Sequence, residues 1–124
     1  MKKLIILTIM IFFSTIGISQ TDNFNITSIF TSSTGTIEAN GCIQLYTGNN
    51  GKLNLKFTLE NTLITDVELT LLKEEFHYSL CEGYNKVRNT NILVILSYVD
   101  DNWIYSFIEN NELIITVNSI YEDI

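Results

Sequence analysis

Between Lys52 and Glu60 the chain alternates without a break: Leu53, Leu55, Phe57 and Leu59 are apolar, and Lys52, Asn54, Lys56, Thr58 and Glu60 are polar. Successive side chains on a β-strand point to opposite faces. A period of two, one face oily and the other wet, therefore predicts a half-buried antiparallel strand. The tetrapeptide Gly48-Asn49-Asn50-Gly51 precedes it, and its glycines and asparagines tolerate positive φ. Residues 42–47 form another short apolar run before that turn, so the pair reads as a β-hairpin.

The same grammar recurs along most of the chain. Residues 24–31 are rich in β-branched and aromatic side chains and break at Ser32-Ser33-Thr34-Gly35. After a polar loop over residues 82–91, residues 92–99 are nearly all apolar, with Ile92, Val94, Leu96 and Tyr98 on one face and Leu93, Ile95 and Val99 on the other. That pattern predicts a central strand covered on both sides. Asp100-Asp101-Asn102 turns the chain into residues 103–108, and Glu109-Asn110-Asn111-Glu112 turns it into residues 113–120. Three strands joined by such short polar turns make an antiparallel meander.

Residues 62–82 admit two readings. Val67, Leu69 and Leu71 alternate with Asp66, Glu68 and Thr70 as a strand would, with a second short strand near residues 76–80 and Lys73-Glu74-Glu75 as the connection. Yet Leu69, Leu72, Phe76 and Leu80 also fall at helical spacing, Thr65 and Glu68 have the form of a capping box, and Gly83 could follow a helix end. The strand-rich neighbourhood favours strands. The expected fold is mainly β, an antiparallel meander forming a small sandwich or an up-and-down barrel; the alternative is α+β, with one helix at about 66–82 packed on an antiparallel sheet. Trp103 follows both cysteines rather than lying between them, which argues against an immunoglobulin arrangement. The meander is similar to what lipocalin-like barrels show, and no family motif accompanies it.

The first residues do not read as part of this fold. Lys2 and Lys3 precede a run over residues 4–16 that is apolar apart from Thr8, Ser14 and Thr15, too short to span a bilayer that needs about 20 residues. Gly17 and Ser19 supply small side chains at the two positions a signal peptidase needs narrow, so residues 1–19 are expected to be a cleaved signal peptide and 20–124 a single small β-rich domain. Export places the mature chain in the periplasm or outside the cell. It also places Cys42 and Cys81 where a disulfide can persist, and closing a loop of about 40 residues would contribute roughly 4 kcal/mol.

Loss of residues 1–19 removes two lysines and no acid, leaving five basic against 14 acidic residues and a net charge of −9. Nucleic acid is thereby excluded as a natural partner, because phosphate binding needs clustered Lys and Arg, and an anionic membrane surface is disfavoured for the same reason. With the leader gone, no stable membrane insertion is expected.

No constellation of catalytic or metal-ligating residues stands out. His77 is the sole histidine, and a small hydrolase would have to pair it with Ser79, Cys81 or acids. The acid pairs Glu74/Glu75, Asp100/Asp101 and Glu109/Glu112 sit at turns without the spacing of a calcium loop, and Asn25-Ile26-Thr27 matches a glycosylation sequon. Neither a cofactor nor a metal is expected. Trp103, Tyr105 and Phe107 share one strand face and are either core or an aromatic stripe for a sugar, a lipid or a partner protein. The expected role is a non-catalytic binding or interaction module; a lipocalin-like carrier of a small apolar ligand is the alternative.

Overall fold

Each apolar-alternating run becomes a strand in the computed structural model, which describes residues 21–48 and 52–122. The leader expected over residues 1–19 and the centre of the turn at 49–51 lie outside the described residues. Among those described, the order is β1 (Thr21–Thr31), β2 (Gly35–Glu38), β3 (Gly41–Thr47), β4 (Leu53–Leu59), β5 (Thr62–Glu74), β6 (Tyr78–Asn85), β7 (Thr90–Val99), β8 (Asn102–Glu109) and β9 (Glu112–Tyr121), with no helix. Every pairing is antiparallel and sequential from β3 to β9.

The turn residues account for the tightness of the meander. Glu60 and Asn61, Asp100 and Asp101, and Asn110 and Asn111 all have positive φ, between 48° and 69°. Positive φ at both central residues is the type I′ turn, whose twist matches that of the flanking strands. Asn and Asp adopt that conformation at little cost; Glu60 is the exception, at about 1 kcal/mol. Gly35, with φ of 69°, closes the turn from β1 to β2.

Closure follows from β1. Its residues 28–31 pair with β2 and residues 21–25 with β3 on one side, while β9 pairs along the other, Phe24 facing Tyr121 and Phe30 facing Thr116. Since β2 and β3 share one side, nine strands occupy eight positions around a barrel. Closure hides the sheet edges that would otherwise template aggregation. Bulges near Thr27, Ile64, Leu72 and in the β8–β9 pair bend the strands around the axis. At two points the walls press so closely that only glycine fits: a Cβ on Gly41 or Gly83 would lie 2.3 Å from the carbonyl oxygen of Thr58 or Glu68.

An eight-stranded barrel is just wide enough for side chains to fill. Phe24, Ile43, Leu45, Leu55, Phe57, Val67, Val94, Leu96, Trp103, Tyr105, Phe107 and Val117 are buried inside it. Phe57 on β4 and Phe107 on β8 stand on opposite walls, third and seventh of the eight positions, and their rings stack at 5.2 Å and 11°. Phe24 packs against Trp103, Tyr105 and Tyr121 at 5.8, 5.5 and 5.3 Å. Each such pair contributes about 0.5–1.5 kcal/mol beyond area burial.

Several expectations need correction. The helix at 66–82 does not form: Leu69 is buried, but Leu72 and Phe76 of the same helical-spaced set are 48% and 69% exposed, so that set never becomes one core-facing stripe. The loop expected over 82–91 shrinks to residues 86–89, because β6 keeps its alternation through Asn85. β2 was not foreseen at all, its single apolar residue Ile37 giving no periodic signal. The strand over 92–99 is not covered on both sides; a barrel has no central strand, and Leu93 and Ile95 are only half-buried while Val99 is exposed.

The disulfide is the clearest correction, as Cys42 and Cys81 are both free thiols. Cys42 belongs to the outward set of β3, opposite exposed Asn25, while Cys81 faces inward from β6. Two strands intervene, about 14 Å of wall, where a bridge needs Cα atoms within about 7 Å.

Candidate functional site

The residues singled out by sequence scatter over the barrel. Trp103, Tyr105 and Phe107 lie in the interior, at most 4% exposed, so they offer no aromatic stripe to solvent. His77 is exposed in the bend between β5 and β6, its ring edge-on to Phe76 at 4.8 Å, whereas Ser79 and Cys81 point into the barrel. Asn25 of the sequon is exposed in mid-strand.

The acid pairs separate as well. Glu109 faces inward at the end of β8, where its carboxylate accepts two hydrogen bonds from Arg88, at 2.8 and 3.0 Å, and one from the Thr90 hydroxyl at 3.0 Å. The Arg88 guanidinium holds the Glu109 carboxyl below its usual range and is itself held up. Asp101 accepts from the Tyr98 hydroxyl at 2.8 Å. These are structural pairs that close barrel ends and turns.

The barrel interior keeps some polar atoms. Asp22 is buried and accepts from the Tyr121 hydroxyl at 3.1 Å; burial raises its carboxyl above the usual value, a shift the hydrogen bond partly offsets. The buried Tyr105 hydroxyl finds no protein hydrogen-bond partner, nor does the Ser79 hydroxyl, and burial with the nearby Asp22 carboxylate pushes the Tyr105 phenol well up. Burial, aided by Glu74, pushes the Cys81 thiol up to about 11, which leaves it a poor nucleophile. Among the described residues, no group of three or more His, Cys, Asp and Glu side chains converges as a metal site would require.

What sequence reasoning missed lies on the outer wall. Antiparallel register aligns Thr70, Glu82, Leu93 and Ile108 across β5, β6, β7 and β8. The next row brings Tyr84 beside Asn91. With Gly83, Ile92 and the Asn110-Asn111 turn, these side chains line a groove of about 600 Å³. Its floor is apolar, from Leu93 and Ile108, and its rim is polar. Gly83 contributes only backbone there, held close against Glu68 of β5. Tyr84 is 48% exposed, and its hydroxyl donates to Asn89 Oδ1 at 3.2 Å, which fixes the ring at the groove's edge. Two smaller hollows lie near the β4–β5 turn, one of about 350 Å³ lined by Asn40, Cys42, Thr58 and Glu60 and one of about 530 Å³ beside Ala39.

The groove was invisible in sequence because its members come from four strands and one turn, and only the register sets them side by side. The excess of outward apolar residues in β7 was its one legible trace. Comparison with models of protein families, with curated proteins and with solved structures found no match to this chain.

Proposed function

We propose that the protein is a non-catalytic binding module, working outside the cytosol, that engages its ligand or partner on the outer wall of the barrel and not in the lumen. The observation that carries this reading is the Phe57–Phe107 stack, in which rings from opposite walls meet at 5.2 Å across the centre. A lipocalin-like carrier needs that space for its cargo, typically several hundred Å³ of enclosed volume. The leader pattern of residues 1–19 supports export. Nothing in the comparisons or among the described side chains points positively to catalysis. The acids best placed to do chemistry are spent on Arg88 and tyrosine hydroxyls.

Native mass spectrometry of the secreted protein, combined with titration of an apolar fluorescent probe, tests this. The expected result is a mature chain free of apolar cargo that leaves the probe dark, with probe binding gained in Phe57→Ala or, if that variant is too unstable, in the milder Phe107→Leu. Copurification of a fatty acid or similar cargo with the unaltered protein would establish the carrier instead.

A further inference from the structure

The groove over β5–β8 combines three features. The first is an exposed aromatic ring held in place, Tyr84 through its bond to Asn89. The second is a shallow apolar floor of Leu93 and Ile108, directly paired across β7 and β8. The third is a rim of polar side chains with no other employment. Glu82, Asn91, Asn110, Asn111 and Thr70 all line the groove, and none of their side chains makes a hydrogen bond or ion pair within the protein among the described residues.

Several amides elsewhere are occupied. Asn85 binds the backbone at Asp66, Val87 and Ile64, Asn54 binds Lys52, Asn102 binds Asp100, and Asn23 binds Gln44. The Asn110-Asn111 turn needs these residues for their backbone, since both have positive φ, and both amide groups line the groove without a partner among the described residues. Each amide offers two donors and an acceptor, and a carboxylate offers acceptors only. A rim of this kind suits a ligand dense in hydroxyl groups, each of which both donates and accepts.

Electrostatics narrows the class. Glu82 is the sole charged residue lining the groove, and the mature chain is strongly acidic, so a phosphate, sulfate or carboxylate ligand would be repelled. The row from Thr70 to Ile108 spans three strand spacings, about 14 Å, which is the length of a short oligosaccharide. We propose that this groove binds an uncharged saccharide, with the Tyr84 ring against the C–H face of one sugar unit and Glu82, Asn91, Asn110 and Asn111 hydrogen-bonded to its hydroxyls. The proposal rests on the outer-wall reading above and gives it a ligand class.

The test is an array of short neutral and acidic oligosaccharides probed with the purified protein, followed by calorimetric titration of the best binder. Binding to neutral members is expected, weakened about tenfold or more by Tyr84→Ala and by Asn91→Ala. Tyr46→Ala, on the outer face of β3, should leave it unchanged, and melting temperature should confirm that the variants fold. Failure of every neutral saccharide to bind, preference for acidic ones, or binding indifferent to Tyr84 and Asn91 would overturn the proposal. Capture of a protein ligand through this face instead would also overturn it. In those cases an unaltered protein that still excludes apolar cargo leaves the outer-wall reading standing, while cargo found in the lumen removes both.

Discussion

Asn85 is the side chain on which the β5–β6 wall most depends, and its removal has a calculable cost. It is 1% exposed; its Oδ1 accepts from the backbone N–H of Asp66 at 3.2 Å and of Val87 at 3.1 Å, and its Nδ2 donates to the Ile64 carbonyl at a long 3.5 Å. Ile64, the bulged residue of β5, and Asp66 lie beyond the last β5–β6 pair, Val67 with Asn85, so the amide stands in for missing backbone partners. Asn85→Ala keeps the backbone bonds from Lys86 to Asp66 and from Asn89 to Asn85. It deletes the two shorter side-chain bonds, each worth about 1 kcal/mol net, and leaves the part-buried N–H groups of Asp66 and Val87 without that acceptor, for a total of about 2–3 kcal/mol. For a domain of this size that corresponds to a fall in melting temperature of roughly 10–20 °C. Urea denaturation followed by circular dichroism measures the first number, and hydrogen exchange should show faster exchange at the Asp66 and Val87 amides. A variant within about 0.5 kcal/mol of the parent, a change typical of an indifferent surface position, would refute the argument that Asn85 replaces ladder bonds.

Other outcomes follow from the charges and thiols. The Glu109 carboxyl is held below its unfolded value, so its pairing stabilises fully above about pH 4.3 and is lost as pH falls through the lower folded value. Glu109→Gln should therefore be destabilising in urea titrations at pH 7 and converge on the parent once the pH has fallen below the folded value. Asp22 has the opposite sign: its folded value is raised, so ionisation costs stability above that value. Asp22→Asn should match or exceed the parent at pH 7 as long as Tyr121 keeps its bond, with the advantage fading in acid; a clear loss at neutral pH would show the carboxylate is needed as such. Native alkylation followed by peptide mass mapping should label Cys42 first and Cys81 only after denaturation, and an intact mass showing two free thiols would agree with their opposite facing.

Much of the strand inventory was legible because it is local. Leu53 to Leu59 alternate on their own, and a strand results whatever lies beyond. Asp100-Asp101 and Asn110-Asn111 announce tight turns through the conformations they tolerate. Residues 66–82 were ambiguous because Leu72 and Phe76 carry an apolar signal without a core to receive it; they remain in water. The groove around Tyr84 left almost no local mark, since Thr70, Glu82, Leu93 and Ile108 are far apart along the chain.

Sequence by itself determined where most of the strands run and where most of them reverse, because a side-chain period of two and the φ preferences of Asn, Asp and Gly act over a few neighbouring residues; it left strand and helix both open over 66–82 and gave no sign of β2. Only the tertiary structure decided that β9 closes on β1, that Trp103, Tyr105 and Phe107 turn inward, that Cys42 and Cys81 face apart, and that Arg88 meets Glu109. Those outcomes depend on register and on which face is enclosed, and both are fixed by long-range pairing around the whole barrel.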